Sequence, residues 1–111
     1  MDWKDTLRHT SSILRPMRAE EAATAQGFHA LHEAALAEGA LSTKQKELIA
    51  LAIAVSKQCV DCIGFHVKAA IRAGATRSEV AEMVNVCVLM NGGPGYMYGA
   101  KVMEAYDQLS G

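Results

Sequence analysis

Two thiols and an imidazole recur at helical intervals in the segment Cys59-Val60-Asp61-Cys62-Ile63-Gly64-Phe65-His66. On an α-helix, positions i, i+3 and i+7 share one face, and Cys59, Cys62 and His66 hold those places. Cysteines three apart bring their Cα atoms to roughly 5–5.5 Å, inside the ~4.4–6.8 Å range that a disulfide spans. His66 follows Cys62 by one turn, so its imidazole can take the thiol proton or stabilise the thiolate as imidazolium. Cys59 falls at the start of this helix, where unpaired backbone N–H groups and the dipole favour a thiolate. The spacing describes a dithiol that opens and closes, with a base beside it.

Glu47 is a candidate fourth member. If the helices on either side of Gln58 form an antiparallel hairpin, His66 lies level with about Leu51, and Glu47 is then one turn (~6 Å) away along the axis. A carboxylate there would orient the imidazole and hold its proton. The alternative places Glu47 at the surface, as a first-turn acid complementing the helix dipole.

The rest of the chain must position these groups. Its 111 residues allow one domain, residues 1–111. Nineteen alanines and six methionines, with only 5% aromatic residues and two prolines, point to an all-α protein. A formal net charge of −1 offers no basic excess for a phosphate backbone, so nucleic-acid binding is not expected. The longest uncharged stretch, Met83 to Ala100, is interrupted by Asn85, Asn91, Pro94 and the glycines Gly92, Gly93 and Gly95, which is poor material for a membrane span. Met1-Asp2-Trp3-Lys4-Asp5 has no apolar core of a signal peptide, and an odd count of three cysteines argues against a secreted disulfide framework. A cytoplasmic location is the expectation.

Five or six helices are predicted. A short one covers Asp2 to His9. A second begins near Pro16, as a first helical position, and ends at Gly39 as a left-handed cap. Ser42-Thr43-Lys44-Gln45 reads as a capping box opening a third, whose run from Leu48 to Val55 is apolar all round and belongs at the bundle centre. After a break at Gln58, a fourth runs from about Cys59 to Ala73 and stops at Gly74. Thr76-Arg77-Ser78-Glu79 caps a fifth, mostly buried helix; Asn91 to Gly95 is a turn cluster; the last helix spans roughly Tyr96 to Leu109. Three nearly all-apolar helices are more than so small a bundle can cover, which predicts an obligate homo-oligomer.

At its dithiol segment the sequence resembles the carboxymuconolactone decarboxylase superfamily, specifically its alkylhydroperoxidase D-like branch. That branch carries Glu, eleven residues, Cys-x-x-Cys, three residues and His, and Glu47, Cys59, Cys62 and His66 keep every interval. Gly39-Ala40-Leu41-Ser42, Lys46 to Ala52, Ala73-Gly74-Ala75-Thr76, Gly92-Gly93-Pro94 and Tyr98-Gly99-Ala100-Lys101 also fit its short members, so the likeness covers about residues 16–108. It implies an all-helical fold assembled as a homotrimer or homohexamer. It further implies that Cys62 reduces a hydroperoxide, that Cys59 resolves the sulfenic acid into a disulfide, and that His66 and Glu47 form the proton relay. The electron donor it implies is a dithiol, such as a lipoyl group on a partner protein. One position departs from the pattern. Some peroxidase members have a histidine between the cysteines, where this chain has Asp61, and a carboxylate pointing inward there would oppose thiolate formation.

Other residues have plainer readings. Cys87, in an apolar helix, reads as a buried small hydrophobe. His29 and His32 read as surface or interface histidines, and Trp3 as an anchor for the N-terminal segment. Gly92, Gly93 and Gly95 match no phosphate-binding fingerprint, and no cofactor is expected. Three other functions compete with the peroxidase. One is thiol–disulfide exchange without peroxide. Another is a metal site made of Cys59, Cys62 and His66 with Cys87 or His29, although zinc sites place Cys-x-x-Cys in a turn. The third is a non-enzymatic helical assembly or redox-sensing module.

Overall fold

The structure is a computed structural model describing residues 1–111. It is all-helical: α1 Trp3–Glu20, α2 Ala22–Leu36, α3 Thr43–Ser56, α4 Val60–Arg72, α5 Arg77–Asn91 and α6 Gly93–Leu109. Two helical hairpins, α3–α4 and α5–α6, pack on each other, and α1 crosses α4 and α6. Leu51, Val55, Ile63, Val67, Val80 and Val102 meet at the centre, each almost wholly removed from water. None of the six helices is long and apolar enough to cross a membrane.

Local chemistry sets most of the boundaries. Ser42 and Gln45 form the expected capping box on α3, as Thr76 and Glu79 do on α5. The hydrogen bond to the Thr76 backbone, and then Lys44 at 2.9 Å, hold the Glu79 carboxyl below its ordinary range. α4 ends as expected at Gly74, whose φ of +94° is the left-handed backbone of a Schellman motif: Gly74 N–H donates to Ile71 and Ala75 N–H to Ala70. Trp3 is fully buried and donates its indole N–H to Glu104 at 2.7 Å, anchoring α1 to α6 as expected.

Four expectations change. Pro16 opens no helix: α1 runs through it to Glu20, and the break falls at Glu21. Ser12 and Pro16 are both exposed, so the carbonyl that loses its partner to proline meets water. Gly39 caps nothing either. α2 stops at Leu36 because Thr43 Oγ1 donates to the Leu36 carbonyl at 2.8 Å and Lys46 Nζ to that of Ala37 at 2.6 Å. The turn before α6 shrinks to one left-handed residue, Gly92 (φ +63°), since Pro94 fits a helix start where no N–H is needed. Finally, α3 and α5 are not enclosed: Ile49, Ile53, Val86, Leu89 and Met90 lie on the surface. α2 buries none of its residues, and its Phe28 and Leu31 are 65% and 63% exposed.

Candidate dithiol site

The site is built at the α3–α4 corner. Gln58 takes φ +56°, and the chain there closes α3 with the same motif that ends α4. Gln58 N–H donates to Val55 at 3.0 Å, and Cys59 N–H to Ala54 at 3.0 Å. Cys59 thus finishes one helix through its backbone and begins the next through its side chain. As the N-cap of α4, its Sγ accepts from the Cys62 N–H at 3.3 Å. The corner holds the two Cα atoms 5.2 Å apart, and the structure joins Cys59 and Cys62 in a disulfide. Cys59 is partly covered and Cys62 is exposed, so this disulfide faces solvent.

One turn further along α4, His66 Nδ1 lies 3.0 Å from Glu47 Oε2 on α3. Glu47 is only 2% exposed, which disposes of its reading as a surface acid. A buried carboxylate without a partner would be costly, and His66 is the partner. His66 itself keeps a quarter of its side chain open to solvent. The four expected site residues are therefore brought together around one hairpin.

Asp61 does not join them. Thr10 of α1 donates to its carboxylate at 2.8 Å, so the residue between the cysteines ties the first turn of α4 to α1. Cys87 stands apart in α5, 3% exposed and 3.4 Å from the Met83 sulfur, and burial pushes its thiol up from the usual range. His29 faces Glu33 at 3.8 Å on the surface of α2. Neither completes a metal-ligand cluster with the dithiol and His66.

His32 is exposed on α2, as expected of a surface histidine, but its pairing with His66 was not foreseen. Its ring stacks on that of His66, with centroids 6.3 Å apart and planes inclined by 23°. No spacing in the sequence points to this, because His32 arrives on a separate helix. An open cavity of about 810 Å³ lies between α2, α3 and α4, with His32, Glu47, Leu36, Lys44, Ala69 and Arg72 on its walls. Glu47 thus both pairs with His66 and lines this cavity.

Residues 22–105 match the carboxymuconolactone decarboxylase family. The chain belongs to that family. Its match to the crystal structure of the apo form of a carboxymuconolactone decarboxylase family protein from Legionella pneumophila has a TM-score of 0.95 and 40% identity, covering 98% of this chain and 97% of that one. An uncharacterised protein of Cupriavidus necator is 37% identical over 98% of this chain and 96% of its own length. Uncharacterised protein 4 in the cox locus of Paracoccus denitrificans is 39% identical, over 76% of each chain. Within the carboxymuconolactone decarboxylase family, this member combines an all-helical fold with a disulfide-forming cysteine pair.

Proposed function

We propose that this chain is an antioxidant dithiol oxidoreductase that reduces hydroperoxides, of the alkylhydroperoxidase D-like kind. One observation carries the reading: a Glu47–His66 pair, mostly buried, one turn along α4 from a solvent-facing Cys59–Cys62 disulfide.

The exposed Cys62 is the attacking sulfur. His66 accepts the Cys62 thiol proton, with Glu47 stabilising the resulting imidazolium, while the N–H groups at the start of α4 favour the thiolate of Cys59 at the N-cap. The Cys62 thiolate attacks the terminal oxygen of the hydroperoxide. The O–O bond breaks, Cys62 becomes a sulfenic acid, and the departing alkoxide takes a proton from His66 to leave as the alcohol. Cys59 then attacks the Cys62 sulfur, forming the disulfide and releasing water. An external dithiol returns both cysteines to thiols and becomes a disulfide itself. A lipoyl group on a partner protein has the right chemistry for this donor.

The surface apolar residues of α2, α3 and α5 support assembly into a homotrimer or homohexamer, a form in which those faces are covered. A dithiol that must stay reducible suits the cytoplasm.

The test uses single-cysteine variants. Cys62→Ser abolishes peroxide consumption, whereas Cys59→Ser consumes one equivalent and accumulates a sulfenic acid that a dimedone-type reagent traps at Cys62. The reverse pattern assigns the attacking role to Cys59. A second reading, thiol–disulfide exchange without peroxide, is favoured by the open position of Cys62, which a protein disulfide can reach. It predicts reduction of disulfide substrates by a protein that leaves hydroperoxides untouched.

A further inference from the structure

α2 touches α1 and α3, and its backbone makes no contact with α4. The rings of His32 and His66 nonetheless bridge α2 and α4, 6.3 Å between centroids and 23° between planes. Phe28, one turn earlier on α2, stands 6.4 Å from His32 at an inclination of 46°. An array of side chains therefore runs from Phe28 through His32 and His66 to Glu47. No residue of α2 is buried, and the His32 ring is the α2 aromatic that pairs with His66.

We propose that His32 is a positioning residue for His66. An imidazole turns easily about its last side-chain bond, where the torsional wells are broad. The bond from Nδ1 to Glu47 fixes one direction in the ring and leaves its plane free to rock about that line. The His32 ring, near-parallel and with its centroid 6.3 Å away, lies alongside and limits this freedom. With the plane restrained and Nδ1 committed to Glu47, the remaining nitrogen, Nε2, keeps one direction for its proton exchange. Stacking needs a flat ring at position 32 and no hydrogen bond from it, and none is present between the two histidines. The role rests on the reading of His66 as the base of the dithiol, while its geometric part stands without it.

His32→Ala and His32→Phe separate the ring from everything else. Alanine favours a helix more than histidine does, so α2 persists in the first variant, and circular dichroism checks it. Two quantities are measured on reduced protein. The first is the exchange rate of the His66 Nδ1 proton with solvent, together with the ring's tautomer, from nitrogen-15 imidazole spectra. His32→Ala accelerates the exchange about tenfold and mixes the tautomers, while His32→Phe keeps the wild-type signature. The second is the rate of Cys59–Cys62 disulfide formation with an alkyl hydroperoxide. His32→Ala slows it roughly tenfold, within the ~100-fold that a misplaced reacting group can cost, and His32→Phe restores it to within about twofold. An unchanged imidazole spectrum in His32→Ala overturns the proposal, and so does a His32→Phe protein that behaves like His32→Ala. Wild-type protein inert to peroxide sinks the peroxidase reading alone, since the spectra still decide what His32 does.

Discussion

His66 Nδ1 and Glu47 Oε2 are 3.0 Å apart, on the two arms of one helical hairpin. Each group answers a need of the other. The carboxylate, only 2% exposed, requires a donor, and the imidazole requires something to fix which nitrogen carries its proton. An ionised carboxylate accepts hydrogen bonds and donates none, so the neutral ring holds its proton on Nδ1 and leaves Nε2 as the acceptor. That is the tautomer a base serving the Cys59–Cys62 pair needs.

Glu47→Gln separates shape from charge. The amide oxygen still accepts from Nδ1, so the fold survives with a small loss of stability. The negative charge that stabilises imidazolium is gone, and thiol oxidation slows by about 100-fold, the low end of what general acid–base assistance supplies. Stopped-flow oxidation of the reduced variant measures this; a rate within twofold of wild type removes Glu47 from the relay.

Gln58 holds φ at +56°, a conformation that costs a side-chain-bearing residue about 1–2 kcal/mol. Gln58→Gly relieves it while adding backbone freedom to the unfolded chain worth roughly 0.5–1 kcal/mol. The net expectation is a gain of about 0.5–1 kcal/mol, read as a thermal midpoint a few degrees higher. A lower midpoint contradicts the corner geometry that sets Cys59 in place.

Gly95 sits where α6 meets α5. A β-carbon there would lie 2.5 Å from the Cys87 carbonyl oxygen and 2.9 Å from the Val88 Cα, both backbone atoms that cannot swing aside. Gly95→Ala forces the helices of that hairpin apart and costs about 3 kcal/mol. Denaturant unfolding tests it, and a variant as stable as wild type refutes this close approach.

Cys87 supplies a pH prediction. Burial raises its folded-state thiol pKa above the unfolded value. Its contribution to stability is therefore complete below the ordinary thiol range, near pH ~8.5, and fades as pH climbs toward the folded value. Cys87→Ala flattens that alkaline decline in the melting temperature. Under native conditions at neutral pH, iodoacetamide labels reduced Cys59 and Cys62, and labels Cys87 only after unfolding.

The dithiol face was legible because Cys59, Cys62 and His66 lie on one helix, where sequence interval and spatial interval are nearly the same thing. Glu47 was half legible. Its interval fitted a hairpin, but only packing decides whether a carboxylate at that level is buried or solvated, and packing chose burial. His32 was illegible as a partner of His66, since the two rings meet across helices whose backbones do not touch. The ends of α1 and α2 were misplaced for a related reason: Pro16 and Gly39 carry local signals, and contacts made at a distance, Thr43 and Lys46 reaching back to the end of α2, outweighed the signal at Gly39. The capping boxes at Ser42 and Thr76 are closed by neighbours three residues away, and both were read correctly.

On the proposed function, hydroperoxide oxidises the Cys59–Cys62 pair directly. The decisive measurement mixes fully reduced protein with an alkyl hydroperoxide in the absence of any donor, then counts peroxide consumed and locates the disulfide by mass spectrometry of unreduced peptides. The expected result is one peroxide lost per chain, the Cys59–Cys62 bond formed, Cys87 still a thiol, and turnover resuming when a lipoyl dithiol is added. Unchanged peroxide with both thiols intact contradicts the proposed function.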